Sequence, residues 1–236
     1  MTYDASPAFS GFGPEFWDFF DDLKAHNDRD WFQANKSRYQ EKVVAPISAF
    51  ISAIAPGLRE ISPHYNADPR PNKGSMFRIY RDVRFSKDKR PYKEHAAAQF
   101  RHRLGKDAHA PGFYVHLEKG NVRYGGGIWL PPAVALAKIR TRIAAKPATW
   151  RRVIEDPGIT KIFGGIHGDS LTRSPRGFDA DTPHLQDIKR KSFFAMKNAG
   201  PSKIVTKAGF VDEVLETFAA ATPLMHFISD AVGVEF

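Results

Sequence analysis

The chain of 236 residues has no cysteine, so disulfide frameworks, thiolate metal sites and cysteine nucleophiles are excluded at the outset. It has no run approaching the roughly 20 apolar residues of a membrane helix. Its first residues, Met1-Thr2-Tyr3-Asp4, lead no basic stretch into an apolar one. The expectation is a soluble protein without a membrane partner, in the reducing cytoplasm that a cysteine-free chain suits. No Gly-x-Ser-x-Gly elbow is present. Gly125-Gly126-Gly127 continues into neither a phosphate-binding loop nor a dinucleotide fingerprint, and reads instead as a bulge or a close backbone approach. Helix-turn-helix, zinc-finger and ribonucleoprotein signatures are missing too.

Acidic charge is the other scarcity, and it is local. From Arg70 to Lys106, twelve Lys and Arg face three Asp and Glu, a net of +9 that equals the net charge of the whole chain. Like charges packed this closely repel, so a folded protein keeps them where something negative answers. The densest part runs from Arg78 to Lys93. Phe77, Ile79, Val83 and Phe85 alternate there with Arg78, Tyr80, Asp82 and Arg84, which predicts a strand over 75–85. Arg81 falls on the apolar side, so the strand ends or bulges there, or Arg81 has a dedicated partner.

Nineteen phenylalanines predict a core built on rings. Phe16, Phe19, Phe20 and Leu23 follow helical spacing after Gly13-Pro14, and Asn27 or Asp28 caps a helix carrying Trp31 and Phe32. Pro46 begins or kinks a third, with Phe50, Ile54 and Leu58 on its stripe. Residues 96–101 read as a strand. Phe113 to Asn121 and Val122 to Leu130 read as a hairpin turning at Gly120-Asn121. That register sets Glu118 opposite Arg123, His116 opposite Gly125 and Tyr114 opposite Gly127. Helices follow from Pro131-Pro132, around Trp150, and after Thr182-Pro183. A strand is expected near Ser192 to Met196, then two closing helices over 210–218 and 222–232. The order predicts one α+β domain: a helical part over 14–60, a sheet-forming centre over 75–130 and a mostly helical part over 132–236. The sheet is antiparallel, with helices mainly on one face.

Three readings of the basic segment stand. In the first, Arg78, Arg81, Arg84, Lys89 and Lys93 hold an anionic small molecule bearing phosphate or carboxylate, with Asp82 and Asp88 orienting the cations. Tyr92 and Tyr114 then line the same cleft. The second is a non-catalytic module docking on nucleic acid or an acidic protein, with Tyr80, Phe85 and Tyr92 available to stack on bases. The third is an internal ion-pair network that fixes the sheet. His116 and Glu118 share one strand face, which suits a proton carrier and its orienter, against a Glu118–Arg123 salt bridge beside an idle imidazole. A zinc-deaminase reading of His116-Leu117-Glu118 fails for want of cysteine. No metal or cofactor is expected, since Asp179, Asp181 and His184 read as an acidic turn before a helix. His95, His102, His109 and His116 recur at intervals of seven without a common face.

The run Arg78, Arg81-Asp82, Arg84-Phe85, Asp88-Lys89 and Tyr92 resembles the signature of a bacterial family, domain of unknown function 2461. Weaker matches at Phe16, Asn27, Trp31-Phe32, Tyr114, Gly125 to Gly127, Pro131, Arg140 and Lys191-Ser192-Phe193 extend the resemblance along nearly the whole chain. It implies a soluble protein of similar size, with no activity to carry over.

Overall fold

A computed structural model describes residues 8–105, 110–200 and 203–236. Met1 to Asp4, Lys106 and His109 lie outside the described residues. The helical opening follows its aromatic stripe. Helix α1 (Pro14–Ala25) buries Phe16, Phe19, Phe20 and Leu23, with proline in its first turn where no amide is needed. Asp28 caps α2 (Arg29–Ala34) by accepting from the Trp31 amide at 2.9 Å. A short α3 (Lys36–Tyr39) runs through a π turn (Gln40–Val44) into α4 (Ala45–Ile61). Pro46 sits just after the widened turn, where its missing N–H and bulky ring are accommodated without breaking the helix. By length and composition the whole run Lys36–Ile61 could cross a membrane. Its stripe of Val43, Ile47, Phe50, Ile54 and Leu58 is instead buried in the core.

Four antiparallel strands pair in chain order: β1 (Ala96–Arg101), β2 (Gly112–Leu117), β3 (Val122–Ile128) and β4 (Phe193–Gly200). Phe100, Phe113, Val115, Tyr124 and Phe193 fill one face. Phe218 of α9 (Phe210–Ala220) stacks on Phe113 at 4.6 Å, and Phe210 meets Tyr124 edge-on at 5.6 Å. Helix α10 (Thr222–Val232) closes the same layer, with Leu224, Met225 and Ile228 fully buried. Between the hairpin and β4 lie α5 (Ala133–Ala145), α6 (Pro147–Ile154), α7 (Pro157–Phe163) and α8 (Leu185–Ile188). The result is an α+β fold around one connected apolar cluster.

Two expectations are corrected. The hairpin register lies two residues from the expected one: Tyr114 opposes Gly125, Val115 opposes Tyr124 and His116 opposes Arg123. Its turn closes through the Asn121 amide donating to the Glu118 carbonyl at 2.9 Å, so Lys119-Gly120, not Gly120-Asn121, make the bend. A slip of two keeps every side chain on its own face, so the hydrophobic alternation fits both registers.

Residues 75–85 do not form the expected strand. Met76 and Tyr80 make isolated bridges to Ala98 and Tyr92, and the rest of the segment is irregular. One local bend lies inside the segment, at Asp82-Val83-Arg84, and two flank it, at Asp68-Pro69-Arg70 and Asp88-Lys89-Arg90: in each the aspartate accepts the amide of the arginine two residues on. The same carboxylate grips that arginine's guanidinium. Each pair bends the chain on itself, in competition with any ladder.

Candidate anion site on the open face of the sheet

The root of the basic segment crosses the edge and open face of the sheet, and its tip stands away. Ser75 and Phe77 exchange hydrogen bonds with β1: Gln99 N–H donates to Ser75 C=O (2.8 Å) and Phe77 N–H to Ala97 C=O (2.9 Å). The chain then leaves, turns, and returns with Lys93 N–H on Ile79 C=O (2.8 Å) and Arg81 N–H on Pro91 C=O (2.9 Å). Asn27 clamps the returning arm. Its amide donates to the Tyr92 carbonyl (3.1 Å) and Glu94 (3.0 Å), and its oxygen accepts from the Tyr92 amide (3.1 Å).

The projecting loop consumes its own charges. Arg84 grips Asp82, Arg81 and Arg90 share Asp88, and Arg90 also reaches Glu94. Lys89 Nζ donates to the Val83 carbonyl at 3.0 Å. The Arg84 guanidinium holds the Asp82 carboxyl down at about 2, and Arg90 lowers Asp88 in the same way. Asp82 and Asp88 thus hold arginines, and Arg81, Arg84 and Lys89 are each bonded within the loop. Arg81 has the dedicated partner its misfit called for. Tyr92 is buried, stacked on Phe32 at 4.2 Å, so it anchors the arm and lines no cleft. Phe85, 96% exposed, tips the loop under the Arg84 guanidinium.

Lys93 belongs to a different group, tied to the Arg78 backbone. Lys93 Nζ donates to the Arg78 carbonyl (2.8 Å) and lies over the Phe77 ring, which meets Tyr114 edge-on at 6.1 Å. Along β2, Tyr114 Oη is 3.2 Å from His116 Nδ1, and His116 Nε2 is 3.2 Å from a Glu118 carboxylate oxygen. Asn121 donates to that same oxygen at 2.6 Å. His95 lies against His116, ring centres 4.3 Å apart. Arg123, exposed on β3 opposite His116, completes the group. The Glu118–Arg123 bridge does not form: Glu118 turns to His116 and Asn121 instead.

Burial pushes His95 down to about 4, reinforced by the charges of His116, Lys93 and Arg123 against the opposing pull of Glu118. Burial also lowers His116, although its bond to Glu118 works the other way. Both imidazoles are therefore neutral near pH 7. A carboxylate only accepts, so the His116 proton sits on Nε2, leaving Nδ1 to accept from the Tyr114 hydroxyl. Burial raises Glu118, yet the bonds from His116 and Asn121 outweigh it and leave the carboxyl below its ordinary value. Burial raises Tyr114, with Arg123 opposing. The chain Tyr114 to His116 to Glu118 can accept a proton at the tyrosine end and stabilise it on the imidazole. Lys93, half-buried, is lowered, burial being the larger cause and the Arg78 charge the lesser. Lys93 and Arg123 thus lie near two neutral rings and one engaged carboxylate, while exposed Arg78 also acts on Asp82. Among the described residues no three His, Asp or Glu gather as metal ligands.

The glycines beside this group have a different reason from ligand access. A Cβ on Gly125 would stand 1.9 Å from the Ala195 carbonyl oxygen, and one on Gly127 2.3 Å from that of Phe193. The close approach of β4's backbone requires both. Sequence reasoning set His95 aside within the seven-residue recurrence and assigned Arg123 to Glu118. The signal for His95 was its place just before β1, whose Ala97 opposes His116.

The fold is that of an α+β protein whose sheet turns one face to helices and carries Tyr114, His116 and Arg123 on the other. The chain belongs to the family described as a conserved hypothetical protein, DUF2461, whose model matches residues 15–227. No curated protein and no solved structure matches the chain.

Proposed function

We propose that this protein binds a small phosphate- or carboxylate-bearing molecule on the open face of its sheet, with Tyr114, His116 and Glu118 poised to move a proton. One observation carries the reading: Lys93 and Arg123, the latter opposite His116 on β3, bring positive charge to the two imidazoles, and the group's one carboxylate, Glu118, is already bonded to His116 and Asn121. Unanswered cations beside neutral, half-buried donors are the chemistry that recognises an anion. The cysteine-free chain suits a cytoplasmic setting for such a ligand.

Thermal unfolding with added inorganic phosphate or pyrophosphate tests it. A ligand at 100 times its Kd adds about 2.7 kcal/mol, or roughly 5–10 °C for a chain of this length. The double variant Lys93→Ala/Arg123→Ala should lose the shift. Equal shifts in wild type and variant, or none in either, would reject the site.

The projecting loop favours a second reading. Phe85 at its tip, beside Arg84 and Lys87, is placed to stack on a base while cations meet a backbone. Binding to single-stranded nucleic acid with a steep salt dependence, lost in Phe85→Ser, would support that reading over the first.

A further inference from the structure

Another arginine pair lies on the helical side of the molecule and shares no residue with the open face. Helix α5 and the turn at 175–178 enclose an open cleft of about 690 Å3, a volume within the range of small-molecule sites. The turn is fixed by Phe178 N–H donating to the Pro175 carbonyl (3.3 Å), with Gly177 at a φ of +89°. Arg140 projects from the helix into this cleft. One of its terminal nitrogens, Nη2, donates to the Arg190 carbonyl at 3.0 Å, and its Nε is sealed from solvent with no partner. Among the described residues no carboxylate pairs with it, and none pairs with Arg176 on the opposite wall. A half-buried guanidinium without a counter-charge is costly, and such a group calls for an explanation. Burial accordingly lowers the Arg140 pKa. Thr141 adds a hydroxyl, while Ala137, Ala144 and Phe178 supply an apolar wall.

We infer that this cleft is a separate binding site for a phosphate monoester carrying an apolar or aromatic body. Two guanidiniums that no carboxylate among the described residues ion-pairs match a dianion better than a single carboxylate. The phosphate lies between Arg140 and Arg176, and the body rests on Phe178 and the alanine face of α5.

Isothermal titration of the full chain with adenosine 5′-monophosphate tests this, with adenosine and inorganic phosphate as controls. The monophosphate should bind the wild type, and Arg176→Ala should weaken it about tenfold or more. In the Lys93→Ala/Arg123→Ala background Arg140→Met should abolish the remaining binding, but it also strips the Arg190 carbonyl of its donor, so its fold is checked by circular dichroism. Exposed Arg176 has no such structural bond, which keeps the test valid if Arg140→Met fails to fold. Lys93→Ala/Arg123→Ala, which removes only the open-face site, should keep the component of binding that Arg176→Ala weakens. The inference is overturned by absence of monophosphate binding, by equal affinity in Arg176→Ala, by adenosine binding as tightly, or by loss in Lys93→Ala/Arg123→Ala alone.

Discussion

Asn27→Ala should loosen the arm that carries Lys93 and His95 while leaving the helices intact. Asn27 makes two hydrogen bonds to the Tyr92 peptide and one to the Glu94 carboxylate, all between 3.0 and 3.1 Å and only partly buried. Each such bond contributes about 1 kcal/mol, more to a charged partner, and water recovers part of the loss at a half-exposed site. About 2 kcal/mol results, which lowers the melting temperature by roughly 4–8 °C in a chain of this length. Calorimetry and denaturant midpoints measure it. Asn27→Asp sharpens the test: it keeps an acceptor for the Tyr92 amide, loses both donors, and sets a carboxylate beside Glu94. It should be at least as damaging as Asn27→Ala at pH 7. A fall under about 1 °C for Asn27→Ala, or an Asn27→Asp milder than Asn27→Ala, would refute the clamp.

Other outcomes follow from the same geometry. His95 is held neutral down to about 4, below its ordinary value. The unfolded chain therefore takes up the proton first as pH falls from about 6.5, so stability present above that pH is lost toward about 4. Denaturant midpoints should fall across that window, and His95→Gln should flatten the slope; an unchanged slope would contradict the burial. Arg84→Ala should leave the melting temperature within experimental scatter, since its pair with Asp82 is surface-exposed; a large fall would favour the structural ion-pair reading. Gly125→Ala should cost at least about 3 kcal/mol or prevent folding, because its Cβ meets the Ala195 carbonyl oxygen at 1.9 Å. Wild-type stability in that variant would contradict the strand spacing.

The helices were legible because aromatic spacing at 3.6 residues has one solution: Phe16, Phe19, Phe20 and Leu23 can share a face only on a helix. The open-face pair His116 and Glu118 was legible because strand residues two apart share a face in any register. The register itself was not, since a slip of two preserves both faces and only the turn's hydrogen bond decides it. Alternation misled over 75–85. There Asp82 captures the backbone amide of Arg84, and that local competition outweighs a pattern suited to a ladder. His95 meeting His116 depends on β1 pairing with β2, a contact between distant segments that no local spacing encodes.

The most direct measurement follows the ring-proton resonances of His95 and His116 by NMR as inorganic phosphate is added at constant pH and ionic strength. The account predicts saturable shifts of both signals in the wild type and their disappearance in Lys93→Ala/Arg123→Ala. Signals that stay still, or that move equally in the variant, would contradict it.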